Sequence, residues 1–92
     1  MIVTNPDKLK EWQSSLSKAR QEKVRAWETV RLGWRAHSSG SKEIYSLKTI
    51  QLDNGCTGIA CDCYGYIYHN YCKHTARLAI ILHNRGERIR LP

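Results

Sequence analysis

Two short triplets, Cys61-Asp62-Cys63 and Cys72-Lys73-His74, place three thiols and one imidazole in close pairs with eight residues between them. Four soft or borderline donors grouped in this way suit a tetrahedral structural zinc site. Residues two apart on a strand point the same way, so Cys61 and Cys63 can both face one ion. On a helix the same separation is ~200° around the axis, which puts Cys72 just before a helix and His74 in its first turn. The expectation is one structural Zn2+ per chain, held by Cys61, Cys63, Cys72 and His74 and clipping a strand end to a helix start. Other chemistry competes for these side chains. Four cysteines could form two disulfides, but the first residues carry no signal-peptide core that would send the chain to an oxidising compartment. A Cys-x-Cys redox pair tuned by His74 would leave the Cys-x-His pair unexplained. Cys56 and His69 are alternative ligands, although Cys56 reads first as a small buried thiol. His37 and His83 read as surface or cap residues.

The elements that must position these groups follow from local patterns. Residues 43–52 are rich in β-branched and aromatic types, Asp53-Asn54-Gly55 is a strong hairpin signal, and residues 57–61 form the return strand. Residues 73–84 read as a helix with Leu78, Ile81 and Leu82 on one face and Gly86 placed to end it. Near the N-terminus Asn5 can cap, Pro6 suits the first helical position, and Asp7 favours the positive end of the dipole. Leu9, Trp12, Leu16, Ala19, Lys23, Ala26 and Val30 then fall on alternating three- and four-residue steps, predicting a basic amphipathic helix over residues 5–36. A helix of about 28 residues would be ~42 Å long against ~32 Å for a compact domain of this size. It must protrude, break near Gly33, or pair with a second chain. The predicted fold class is therefore α+β: a long N-terminal helix (5–36), a small zinc-bound ββα unit (43–86) and a short basic tail (87–92). A hairpin with one short helix has too little core to pack alone, which would make zinc part of the fold.

The two ligand pairs, preceded by a strand pair and followed directly by an apolar helix after Cys-Lys-His, resemble the SWIM zinc finger over about residues 45–83. The resemblance implies a ββα unit with one zinc on Cys61, Cys63, Cys72 and His74. Tyr64-Gly65-Tyr66 stands where the family often carries a Pro-Asp-aromatic run, and the basic N-terminal segment lies outside the likeness. SWIM fingers occur in chromatin-remodelling ATPases, Mutator-type transposases, a MAP kinase kinase kinase and recombination accessory factors. There they are associated with DNA binding or protein–protein contact, and the resemblance implies one of these roles.

Charge and composition bear on which. The chain of 92 residues carries 15 Lys+Arg against 8 Asp+Glu, a formal charge of +7, which favours a polyanion or an acidic protein surface as partner. The excess is +4 over residues 5–35, zero over residues 36–74, and +3 over residues 75–92. Three thiolates around one divalent ion leave the zinc centre about −1, so phosphate contacts should fall to the flanks. The expected set is Arg77, Arg85, Arg88 and Arg90 with Lys23, Arg25, Arg31 and Arg35, joined by Lys18 and Arg20. A domain without phenylalanine is expected to build its core from Tyr and Trp. Most of Tyr64, Tyr66, Tyr68 and Tyr71 are assigned there, and Trp12, Trp27 and Trp34 read as packing anchors or a partner interface.

No nucleophile–base pair, carboxylate dyad or phosphate-binding glycine loop is evident, and a four-ligand zinc has no open position for water. The chain is expected to be no enzyme and to take no small-molecule substrate. Its longest apolar run, Leu78-Ala79-Ile80-Ile81-Leu82, falls far short of the ~20 residues of a membrane span. A reducing location, cytoplasmic or in the nucleoid or nucleus, is expected. The reading is a small zinc-binding accessory protein that binds DNA through the finger's basic flanks. The alternative is an interaction adaptor, a homodimer or a module docked on a larger recombination, transposition or regulatory protein through its N-terminal helix.

Overall fold

A computed structural model gives the fold of residues 2–40 and 42–91. In chain order the elements are β1 (Ile2–Val3), α1 (Leu9–Gln21), β2 (Arg25–Thr29), β3 (Gly33–His37), β4 (Tyr45–Gln51), β5 (Thr57–Cys61), α2 (Tyr64–His69), α3 (Lys73–Asn84) and β6 (Ile89–Arg90). The fold is α+β, with a six-stranded sheet in the order β1-β6-β5-β4-β3-β2. Neighbours from β2 to β5 are antiparallel, while β6 runs parallel to both β5 and β1. Among the described residues no helix is long and apolar enough to cross a membrane.

Asn5 caps as its position suggests, its side chain accepting from the Asp7 N–H at 3.0 Å to open a 3-10 turn over Pro6–Lys8. α1 then buries Trp12, Ser15 and Ala19, spaced three and four residues apart, and packs against α3. The helix expected over residues 5–36 does not continue. At Lys23 the backbone turns left-handed (φ 49°), the Lys23 N–H donates to the Arg20 carbonyl at 3.3 Å, and the Val24 N–H donates to the Ala19 carbonyl at 3.0 Å. These two bonds are the Schellman closure of a helix, made here with lysine where glycine is usual. The chain therefore breaks well before Gly33, and residues 25–37 form the β2–β3 hairpin.

The physical reason is burial. Trp34, Ala36 and Ser38 alternate into the interior at 6%, 0% and 2% exposure, a period-two pattern that a helix would have scattered around its axis. Packing of these side chains overrides the helical spacing upstream, since most helical stability in proteins comes from a docked face rather than from propensity. Thr29 shapes the turn, its Oγ1 accepting from the Leu32 N–H at 3.0 Å and donating to the Gly33 carbonyl at 2.8 Å. Gly33, at φ 71°, takes the left-handed position without strain. Ending α1 at Gln21 also removes the length argument for pairing with a second chain.

Residues 87–91 are likewise no tail, and Pro92 lies outside the described residues. Ile89 is fully buried, the Thr57 N–H donates to the Arg88 carbonyl at 2.7 Å, and the Leu91 N–H donates to the Val3 carbonyl at 2.8 Å. β6 thus ties both ends of the chain into the sheet. α3 lies on one face, and Trp34, Leu47, Ile59, Leu78, Leu82 and Ile89 make the core. That core is larger than a hairpin and one helix could supply, so the fold rests on more than the ββα unit.

Candidate metal centre

β5 ends at Cys61, opposite Leu47 of β4. Beyond it, the Asp62 N–H donates to the Ser46 carbonyl at 3.3 Å and Asp62 Oδ1 accepts from the Ser46 N–H at 3.0 Å, holding the chain extended through Cys63. Cys63 precedes the single short helix α2, which closes at Asn70 in a left-handed conformation (φ 60°). That turn sends the chain back through buried Tyr71, whose hydroxyl lies 2.6 Å from Thr4 Oγ1. Cys72 then caps α3: its Sγ accepts from the Thr75 N–H at 3.4 Å, and its own N–H donates to Thr75 Oγ1 at 3.3 Å. His74 follows in the first turn, where the spacing places it.

The donor atoms of Cys61, Cys63, Cys72 and His74 lie within 4.8 Å of one another, and all four residues are buried. Cys61 Sγ and His74 Nδ1 are 3.7 Å apart. Ordinary zinc bond lengths in a tetrahedron give S···N and S···S edges of about 3.6 and 3.8 Å. The four side chains could therefore hold a metal ion such as zinc. The Tyr45 ring sits 4.8 Å from the imidazole, and His74 Nε2 is buried without a hydrogen-bond partner among the described residues.

All four cysteines are free thiols in this structure. Cys56 is only half-buried and stands outside the donor cluster, as does His69. His69 instead lines a cavity of about 350 Å3 that opens on Cys63, Cys72 and His74.

Crowded sulfurs perturb one another. Hydrogen bonds with Cys63 and Cys72, together with burial, push the Cys61 thiol far up, while the same sulfur contacts hold Cys63 far below the ordinary thiol range. Burial pushes the His74 imidazole down, but Cys63 and Cys72 outweigh it and bring its pKa up to about 9. The cluster favours a thiolate at Cys63, the ligand form a metal requires.

The basic residues expected to act together are separated. Lys23, Arg25 and Arg77 come together with Arg20 around one groove. Arg85 lies 5.1 Å from the centre of the Trp34 ring and 3.9 Å from Glu28. Arg31 is exposed in the β2–β3 turn, and Arg35 donates from Nη1 to Ser46 Oγ at 2.7 Å. Arg88 and Arg90 flank buried Ile89 at the other side of the sheet.

The aromatic residues also divide. Trp12, Trp34 and Tyr71 are buried, whereas Tyr64 and Tyr68 are about three-quarters exposed and stack on each other on α2, against the expectation of a tyrosine core. Trp27 is no helix anchor. It lies on β2 opposite Arg35, on the sheet face away from Trp34 and α3, and is 37% exposed. Lys48 shares that face, two residues beyond Ser46, the β4 partner of Arg35. Helical spacing concealed this set; strand alternation through Arg25, Trp27 and Thr29 was the signal for it. No protein-family model matches the chain, and neither a curated protein nor a solved structure matches it.

Proposed function

We propose that the chain is a non-enzymatic accessory protein in which zinc, held by Cys61, Cys63, Cys72 and His74, organises a SWIM-like unit and a basic sheet face binds DNA. Four protein donors leave a tetrahedral ion no open position for water, which supports a structural role for the metal. When bound, zinc supplies a cross-link between the end of β5 and the start of α3, and it neutralises the thiolates buried there.

The nucleic-acid reading is carried by one observation: Trp27, Arg35 and Lys48 share the sheet face turned away from Trp34, with Trp27 and Arg35 directly opposite each other. A part-exposed ring opposite one cation, with a second cation on the next strand but one, is a surface on which a base can stack while its phosphates are neutralised. Asp62 is the carboxylate at the end of the same row, beside Ser46. Such a face reads no base edges, so binding should be indifferent to sequence and favour single strands.

Trp12 and Trp34 are buried, so fluorescence quenching by added oligothymidine reports on Trp27. Quenching should weaken with salt, with a slope reduced by about 0.7 for each of Arg35→Gln and Lys48→Gln. Trp27→Ala should weaken binding about fivefold or more. Unquenched zinc-loaded protein at low salt would remove DNA as the partner and leave the adaptor reading.

A further inference from the structure

A groove of about 370 Å3 runs between α1, α3 and the start of β2. Its floor is aliphatic, with Ala19, Val24 and Ala76 buried and Leu16 and Ile80 half-buried. Its rim carries the exposed side chains of Arg20, Lys23, Arg25 and Arg77, and no carboxylate lines it. Among the described residues none of these four side chains has an ion-pair or hydrogen-bond partner.

The backbone supplies a second observation. Lys23 occupies the left-handed position that closes α1 (φ 49°), where a residue with a Cβ is strained and glycine is not. The turn at this residue carries the chain from α1 into β2 and so brings Lys23 and Arg25 beside Arg20, facing Arg77 of α3. A cation is held on the rim at the expense of backbone ease.

We infer that this groove docks an acidic amphipathic segment of a partner protein, with its apolar side chains on the aliphatic floor and its carboxylates against the four cations. Only an occupant with apolar surface gains from covering that floor. A phosphate backbone would meet the cations, whose guanidiniums can also reach a guanine edge, but it would find no ring to stack on and would leave the aliphatic floor without an apolar partner. An amphipathic segment uses both parts of the groove. Arg25 borders both surfaces, but the aliphatic floor and the other three cations stand apart from the nucleic-acid reading, which uses the sheet face turned away from Trp34 and α3.

The test uses the full chain with zinc bound and a labelled synthetic helical peptide carrying leucines along one face and glutamates elsewhere. A twin peptide has serines in place of the leucines, and oligothymidine serves as competitor. The leucine peptide should bind, and the serine twin should bind about tenfold more weakly. Arg20→Gln and Arg77→Gln should each weaken binding by up to about fivefold, while Arg88→Gln, beside β6, should leave it unchanged. Lys23→Gly is the decisive variant: it should raise the melting temperature by about 4–8 °C and still weaken peptide binding. Equal binding of the two peptides, or undiminished binding by Lys23→Gly, would overturn the inference. So would displacement of the peptide by oligothymidine whose own binding is lost in Arg20→Gln, which would give the groove to a phosphate backbone. Failure of the DNA reading is seen separately, as absence of Trp27 quenching.

Discussion

Lys73 and Glu22 join α3 to α1 at the edge of the Cys/His cluster: the Lys73 ammonium, between Cys72 and His74 in sequence, bonds Oε1 of Glu22, the C-cap residue of α1. Both side chains are partly exposed, so solvent screens the pair and it contributes about 0.2–1 kcal/mol. The Glu22 carbonyl is held independently by the Ser39 N–H at 2.9 Å and the Ser39 hydroxyl at 2.8 Å. Glu22→Gln thus isolates the ion pair. It should lower the melting temperature by no more than about 5 °C at low salt, with the difference vanishing at high salt. A larger, salt-independent loss would mean that the pair does more than tether.

Metal should stabilise the fold without being its sole support, because the sheet and the core around Leu78 and Ile89 extend well beyond the four ligands. About one zinc per chain is expected. Zinc at a hundredfold excess over its dissociation constant should raise the melting temperature by about 10–20 °C. Metal-free protein that melts identically would remove zinc from the structure's support.

Cys72 caps α3 and also belongs to the cluster that could hold a metal, and the two duties are separable. Cys72→Ser keeps an atom that accepts from the Thr75 N–H, whereas Cys72→Ala does not. Both variants should lose tight zinc binding. In the absence of metal, the serine variant should be more stable than the alanine variant by about 1 kcal/mol, read from denaturant midpoints. Retention of stoichiometric zinc by either would relocate the site.

A pH dependence between 6.5 and 9 should come mainly from the metal. His74 in the metal-free fold has a pKa raised from 6.5 to about 9. A raised value contributes stability that is fully present below pH 6.5 and is lost as pH rises through about 9. Metal binding requires the neutral imidazole and thiolates, so it strengthens as pH rises and fails on acidification. Cys63, held far below the ordinary thiol range, gains stability over that same interval and offsets the His74 loss. The melting temperature of chelated protein should therefore change little between pH 6.5 and 9, while the stabilisation added by zinc should grow over the same range. Parallel curves for the two forms would contradict a donor set that includes His74.

The sequence by itself determined whatever depends on neighbours along the chain. The four-residue donor cluster was legible because each pair is local: Cys61 and Cys63 at two-residue spacing at a strand end, Cys72 as a cap, and His74 in the turn that follows it. The β4–β5 hairpin and the span of α3 were legible for the same reason, from Asp53-Asn54-Gly55 and from the apolar face of Leu78 and Leu82. Only the tertiary structure decided the fate of residues 22–37. Lys23 closes α1 without the glycine that usually marks such a stop, and Leu9 to Val30 keep a helical spacing that ends only because Trp34 and Ala36 find burial in the sheet. Ile89 shows the same limit: two residues carry no readable period, and their place between β1 and β5 needs both chain ends to meet. The groove that gathers Arg20, Lys23, Arg25 and Arg77 depends on that same unmarked turn, since packing between distant segments decided it and no local pattern records it.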